Sequence, residues 1–368
     1  MKVTGIIVEY NPFHNGHIHH IKEARKITNC DVLVAVMSGN FTQRGDVAIC
    51  DKYLRTKAAL ENGVDLVIEL PYIYATQAAK NFAYGSIETL KLCNIDSLVF
   101  GSESNNLENL LDIAKYSINV DHLKVSMSKG ESFAKSYSLL QGSYPPNDIL
   151  GIAYLKAIAD SNIKPYTIQR TNQYHDQELD KDISSATSIR NAIKENIDYS
   201  YSTIMKIDNP VYNEMLYPYL RNILVTCDRK YLQEIFLVSE GIEKHLSKIA
   251  RDTYSYKEFI NKATTRRYTK SRIQRTCIQI LNHVTKNEVL NLPKLDHIRV
   301  LGFNSKGRML LKELKNNEDI RVCSRFSDIP LEYRKMYYKT TFTYASMFNK
   351  DIQKNILDKE VSGPIILK

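Results

Sequence analysis

Two imidazoles and a glycine stand together in His14-Asn15-Gly16-His17, straight after the apolar run Val3–Val8 and the turn-forming residues Glu9-Tyr10-Asn11-Pro12-Phe13. A neutral imidazole offers one N–H donor, glycine lets a bulky anion approach the backbone, and a helix opening here adds about half a unit of positive charge. Such a set suits attack at an α-phosphate with pyrophosphate leaving, with His14 and His17 stabilising charge on the phosphoryl oxygens. A surface loop that merely contains histidines is the plainer alternative, and the position after a buried strand argues against it. His19 and His20 extend the cluster, but successive helical residues point about 100° apart, so the rings do not converge as structural zinc requires. No protein-held metal is expected; magnesium, which prefers oxygen ligands, would ride on a triphosphate.

For the tetrad to act, a strand must deliver it and a helix must start at it. Val3–Val8 reads as a buried strand and residues 17–27 carry helical periodicity, which places the turn between them. Residues 31–37 form a second apolar strand, followed by the polar loop Ser38-Gly39-Asn40-Phe41-Thr42-Gln43-Arg44-Gly45-Asp46. Asp51 can cap a helix that Gly63 stops, and residues 65–70 make a third strand. A helix over 75–92 leads to a strand at 97–100 that ends in Gly101-Ser102-Glu103, at the carboxyl end where open parallel sheets bind ligands. Asn147 precedes another helix, residues 165–170 read as a strand, and Ser185 can cap a helix containing Ile189, Arg190 and Ile193. The fold class is α/β: a Rossmann-like domain with a parallel sheet over residues 1–199, then a mainly helical, basic domain over 200–368. Within the latter, residues 298–311 read as strand, turn and helix, with cations at Lys306 and Arg308.

Composition sets the wider limits. The 368 residues are 43% hydrophobic and 25% charged, an ordinary globular balance that excludes a disordered chain. A net charge of +9 points to an anionic partner larger than a nucleotide, although a mildly basic enzyme without one has the same balance. Residues 264–275 gather five cations, Arg266, Arg267, Lys270, Arg272 and Arg275, with hydroxyls, one tyrosine and no acid; this mixture contacts nucleic-acid phosphates, against a solvated helix face as the plain alternative. Six scattered cysteines with no Cys-x-x-Cys pair read as buried thiols. No apolar run is long enough to span a membrane and no signal peptide is apparent, so a cytoplasmic protein is expected.

The tetrad resembles the HxGH signature of the nucleotidyltransferase superfamily. The longer stretch from Gly5 to His17, with residues 37–45 and Phe100-Gly101-Ser102-Glu103, is similar to the bacterial tRNA(Met) cytidine acetate ligase family, and the resemblance runs along nearly the whole chain. It implies activation of acetate with ATP to acetyl-adenylate, then acetylation of N4 of wobble cytidine 34 of elongator tRNA(Met). It assigns ATP to the loop Ile7, Val8, Glu9, Tyr10, Asn11, Pro12, Phe13, His14, Asn15, Gly16, His17, Ile18, His19 and His20. Gly101, Asn147 and Arg170 are further implied contacts, each with a plainer role as turn, helix cap or surface cation. Ser185-Ala186-Thr187-Ser188-Ile189-Arg190 resembles the second signature, S-S-T-x-I-R; Ala186 departs from it and removes one hydroxyl, leaving Thr187, Ser188 and Arg190 to meet the outer phosphates. Ser38, Asn40, Gln43 and Arg44 are candidates for acetate or cytosine, because an anionic carboxylate needs a donor or cation beside the phosphate. Lys22, Lys52 and Arg55 are candidates for charge stabilisation, with solvated helical cations as the plainer reading. Two rivals remain: a small-molecule adenylyltransferase of the same fold, which would not need the basic C-terminal half, and a non-catalytic RNA-binding platform, which would not need both histidines.

Overall fold

The computed structural model describes residues 1–115, 144–170 and 184–368. Apolar runs buried on both faces make the centre of the sheet: β1 (Val3–Val8), β2 (Val32–Ser38), β3 (Leu66–Leu70) and β4 (Ser97–Ser102). With β5 (Lys164–Gln169) they lie parallel in the order β5-β4-β1-β2-β3. Each crossover is helical: α1 (Asn15–Thr28), α2 (Lys52–Glu61), α3 (Ala79–Lys91) and α4 (Pro146–Ile158), and α5 (Ala186–Glu195) follows β5. Asp51 caps α2 through Tyr53 and Leu54, and Gly63, at φ +102°, turns the chain toward β3.

The second half is helical at first. α6 (Asn213–Thr226), α7 (Ile242–Arg251), α8 (Tyr256–Ala263) and α9 (Lys270–Leu281) share a core with Phe41, Val47, Tyr72 and Ile73 of the first half. The chain then returns to the sheet. β6 (His297–Phe303) pairs antiparallel with β3, and β7 (Arg321–Cys323) and β8 (Ile365–Ile366) pair parallel with β6. Among the described residues the sheet has eight strands, three of them from the half that the sequence pattern reads as mainly helical. α10 (Ser305–Leu314), α11 (Leu331–Ala345) and α12 (Lys350–Val361) complete this half.

A buried ionic cluster locks the returning strand in place. Lys52 on α2 reaches Glu69 of β3 and Glu360 of α12, both at 2.8 Å, and Arg299 of β6 reaches the same two carboxylates at 3.0 and 2.7 Å. Two cations balance two anions, so no charge is left uncompensated in the interior. Lys52 is thus not the solvated helical cation of the plainer reading. Arg55, also buried, donates to the carbonyls of Glu9, Ser38 and Gly39, holding the ends of β1 and β2 together.

Candidate active site

The turn after β1 is tight: Tyr10 adopts φ +52°, the Asn11–Pro12 peptide is cis, and the Tyr10 ring packs at 4.8 Å from Phe13 and from His17. His14 is the residue that caps α1. Its Nδ1 accepts the backbone N–H of Gly16 at 3.1 Å, and Nδ1 of His17 accepts the backbone N–H of His14 at 3.1 Å. Two histidines thus form the reciprocal capping box that Ser and Glu usually make.

This geometry sets the tautomers. With both Nδ1 atoms accepting, each neutral ring carries its hydrogen on Nε2. Burial, with help from Arg170 and Arg190, pushes His14 down to about 3; burial, then the neighbouring histidines and Arg170, holds His17 well below its ordinary range. Both rings are therefore neutral N–H donors at neutral pH. Residues 201–203 buttress the turn: Asn15 donates to the carbonyls of Ser202 and Tyr201, and Thr203 Oγ1 donates to Phe13 O.

The histidines open onto a cavity of about 300 Å³ at the carboxyl ends of β1, β4 and β5. The α5 helix closes one side. Ser185 caps it, and Arg190 reaches back to donate to Asn11 O at 2.6 Å and Thr187 Oγ1 at 3.1 Å, tying the second signature to the first. Arg170, at the end of β5, lays its side chain over Gly101, where a Cβ would stand 3.3 Å from it. Glu103 accepts from the backbone and side-chain N–H groups of Asn147, which turns the Asn147 side-chain oxygen away from that carboxylate.

Of the residues expected at the nucleotide, Ile7, Val8, Glu9, Tyr10, Asn11, His14, Gly16, His17, His19, His20, Gly101, Asn147, Arg170, Thr187 and Arg190 line this cavity. Pro12 is buried in the turn and Phe13 lies in the core behind it, Asn15 and Ile18 are on the far side of α1, and Ser188 turns back to bond Ser185. Gln43 and Arg44 line the cavity, whereas Ser38 and Asn40 are buried behind it, Asn40 between Lys52 N–H and Thr341. Lys22 does not reach it. The wall also contains Phe100, beside Gly101, and Phe82, Leu150 and Tyr154, which the sequence pattern reads only as positions within helices.

Comparison with known proteins settles the ancestry. Residues 1–360 match the model of the HIGH Nucleotidyl Transferase family. The tRNA(Met) cytidine acetate ligase of Oceanobacillus iheyensis is 37% identical over the full length of both chains, and that of Clostridium kluyveri is 38% identical over 100% of this chain and 99% of its own. This chain belongs to the tRNA(Met) cytidine acetate ligase family. Among solved structures, apo Thermotoga maritima TmcAL superposes with a TM-score of 0.89 at 32% identity, and its form bound with alpha-thio ATP with 0.87, each covering both chains completely.

A member of the ligase family also needs a surface for its larger substrate, and the basic segment has a defined structure. Arg266, Arg267 and Lys270 are exposed at the entrance to α9. Glu240, from the turn before α7, pairs with Arg267 at 3.5 Å and Arg272 at 3.3 Å, so an acid distant in sequence enters a segment that has none of its own. Arg267 and Arg272 both lie against the Tyr268 ring. Arg275 is half-buried, and burial, then Arg272 and Arg44, lowers its pKa to about 10. Among the described residues no helix is long and apolar enough to cross a membrane.

Proposed function

We propose that this chain activates acetate with ATP to acetyl-adenylate, releasing pyrophosphate, and transfers the acetyl group to N4 of the wobble cytidine of elongator tRNA(Met). The observation that carries this reading is the neutral His14–His17 pair, whose Nε2–H edges are the ring donors left for the cavity. Neutral donors fixed before the substrate arrives stabilise phosphoryl charge without reorganising, and they leave the acetate carboxylate uncompeted for by an imidazolium. Arg170 and Arg190 supply the cations along the same wall, and Thr187 a hydroxyl at the start of α5.

Magnesium would enter this site on its substrate. Among the described residues no group of three or more His, Cys, Asp or Glu side chains could hold a metal, and of the two acids in the wall Asp46 already accepts from Asn213 and Gln274. Carried by the triphosphate oxygens, the ion would neutralise charge on the leaving pyrophosphate. Gln43 and Arg44 are the loop residues that would meet acetate, since Ser38 and Asn40 lie behind the wall. Arg266, Arg267, Lys270, Arg272 and Arg275 would hold tRNA phosphates, in the cytoplasm where that substrate is found.

The test is nucleoside mass spectrometry of elongator tRNA(Met) after incubation with the protein, ATP, magnesium and labelled acetate. Labelled N4-acetylcytidine at the wobble position, lost with His17→Ala, is the expected result. Release of AMP and pyrophosphate with unlabelled tRNA would instead favour a small-molecule adenylyltransferase.

A further inference from the structure

Resting on the acetate-ligase reading, we propose that Glu9 is the general base that takes the proton from N4 of the cytidine during acetyl transfer. The second half of that reaction makes a demand the first does not. The N4 lone pair of cytosine is delocalised into the ring, so the amine becomes a competent nucleophile only as its proton leaves. In balance, the N4 lone pair forms the new N–C(acyl) bond, the acyl C–O bond to the adenylate breaks, AMP departs with that electron pair, and one N4 proton passes to the Glu9 carboxylate.

The cavity wall holds few side chains able to accept that proton. His14 and His17 cannot: backbone N–H groups occupy both Nδ1 atoms, and Nε2 already bears hydrogen. Asp46 is tied to α9 by Gln274 at 2.6 Å and to α6 by Asn213 at 2.7 Å, both on Oδ1, so its carboxylate is engaged in holding the 38–46 loop against the helices. His20 Nε2 has no partner but is itself buried, and the ring lies against Arg170 and His19 along the α1 wall that faces β5, so it does not present that nitrogen to a substrate. Glu9 is placed differently. It is the first residue after β1, on the same turn as the histidines, and its Oε1 accepts the Gln43 backbone N–H at 2.7 Å while Oε2 has no hydrogen-bond partner among the described residues.

The groups facing this carboxylate are Arg44 and Asp46 from the 38–46 loop, Arg55 from α2 and the Tyr154 phenol from α4. Arg44, Asp46 and Tyr154 line the cavity with Glu9, so the carboxylate sits at the end of the cavity next to the loop rather than in the core. Burial raises its pKa above the ordinary carboxylate value, with the Gln43 N–H, Arg44 and Arg55 opposing. A stronger base than a solvated glutamate results.

Glu9→Gln keeps an oxygen for the Gln43 N–H and cannot take a proton. Two rates are compared: acetohydroxamate formation from acetate, ATP and hydroxylamine, which needs no enzymic base, and single-turnover acetyl transfer to tRNA(Met). Transfer is expected to fall about 10²- to 10⁴-fold while hydroxamate formation falls far less. Wild-type transfer should rise with pH through one ionisation that Glu9→Gln abolishes and Glu9→Asp, at a reduced rate, retains. Parallel loss of both rates would overturn the inference and leave Glu9 as a support for the Gln43 loop; transfer retained within a few-fold would overturn it outright. Wild-type protein that forms neither hydroxamate nor acetylated tRNA would overturn the ligase reading itself, and with it this inference.

Discussion

Gly45 lies against the backbone of Arg275 so closely that a Cβ on Gly45 would stand 2.4 Å from the Arg275 nitrogen. The adjoining Asp46 accepts from Gln274, and Gly45 itself adopts φ +82°. One rigid contact therefore joins the loop that carries Gln43 and Arg44 to the first turns of α9, where the basic segment lies. The nucleotide cavity and the basic surface cannot shift independently across it.

Gly45→Ala is expected to separate them. The side chain meets backbone rather than a flexible side-chain end, and the positive φ adds strain, so a stability loss of about 1–3 kcal/mol follows. Urea unfolding measures that loss. Transfer to tRNA should fall more than acetohydroxamate formation, because the loop moves relative to α9 while the His14–His17 turn does not.

The part of this site that can be read from sequence is the part built from neighbours in the chain. The buried strand, the His-x-Gly-His turn, the Asp51 and Ser185 caps and the strand before Arg170 all follow from local pattern, and the structure has each within a residue or two. What local pattern hides is pairing at a distance. Residues 298–311 read as strand, turn and helix, yet nothing near them says that the strand lies antiparallel to β3. Lys52 has the look of a solvated helical cation because Glu69, Arg299 and Glu360, which justify its burial, lie on three other elements. Tyr154 and Phe82 occupy apolar helical positions, and only the assembled sheet shows that those positions face a cavity.

Removing one imidazole of the capping box should impair the phosphoryl step specifically. His14→Ala or His17→Ala takes away one fixed donor, worth about 10²- to 10³-fold in rate by analogy with oxyanion donors. It also opens half of the α1 cap, at about 1 kcal/mol. Single-turnover acetohydroxamate formation reads the first effect and the thermal midpoint the second. A rate loss no larger than the stability loss explains would assign the pair to folding alone.

Buried neutral histidines set the acid limit of stability. His14 is lowered to about 3, and His20 and His297 to about 4, burial being the largest cause in each. Between the ordinary histidine value near 6.5 and these lowered values the unfolded chain binds protons that the folded chain refuses. Their contribution is complete above about pH 6.5 and drains as pH falls toward 4, by up to about 1.4 kcal/mol per pH unit for each group. Glu9, with a raised pKa, works in the opposite sense for one group. The urea-unfolding free energy should therefore decline from pH 6.5 to 4.5, and His297→Leu should flatten the decline. Acetohydroxamate formation should show no histidine inflection near 6.5.

Breaking the buried ionic cluster should be costly in a charge-specific way. Lys52→Met leaves Glu69 and Glu360 to share Arg299, and loss of one partner from such a cluster typically costs about 3–5 kcal/mol. Adding Glu360→Gln to Lys52→Met restores the count to one cation and one anion. The double variant is expected to unfold at a higher urea concentration than Lys52→Met alone; additive losses would mean that charge balance is not what the cluster supplies.

Glu240 offers the sharpest test of the basic segment, because it separates charge from fold. It neutralises Arg267 and Arg272 from outside the segment, and it is itself partly exposed. If those guanidinium groups hold tRNA phosphates, Glu240 competes with RNA for them, and Glu240→Gln should tighten tRNA binding at low salt. Arg267→Ala and Arg272→Ala should weaken it, with the slope of log K against log salt shallower by roughly 0.7–0.9 for each phosphate that is no longer neutralised. None of the three should alter acetohydroxamate formation, since none lines the nucleotide cavity. Filter binding across a salt series measures both the affinity and the slope. Equal weakening by all three variants would show that the Glu240 pairs serve only to hold α7 against α9, and would move the search for the tRNA-binding side chains to Arg266, Lys270 and Arg275.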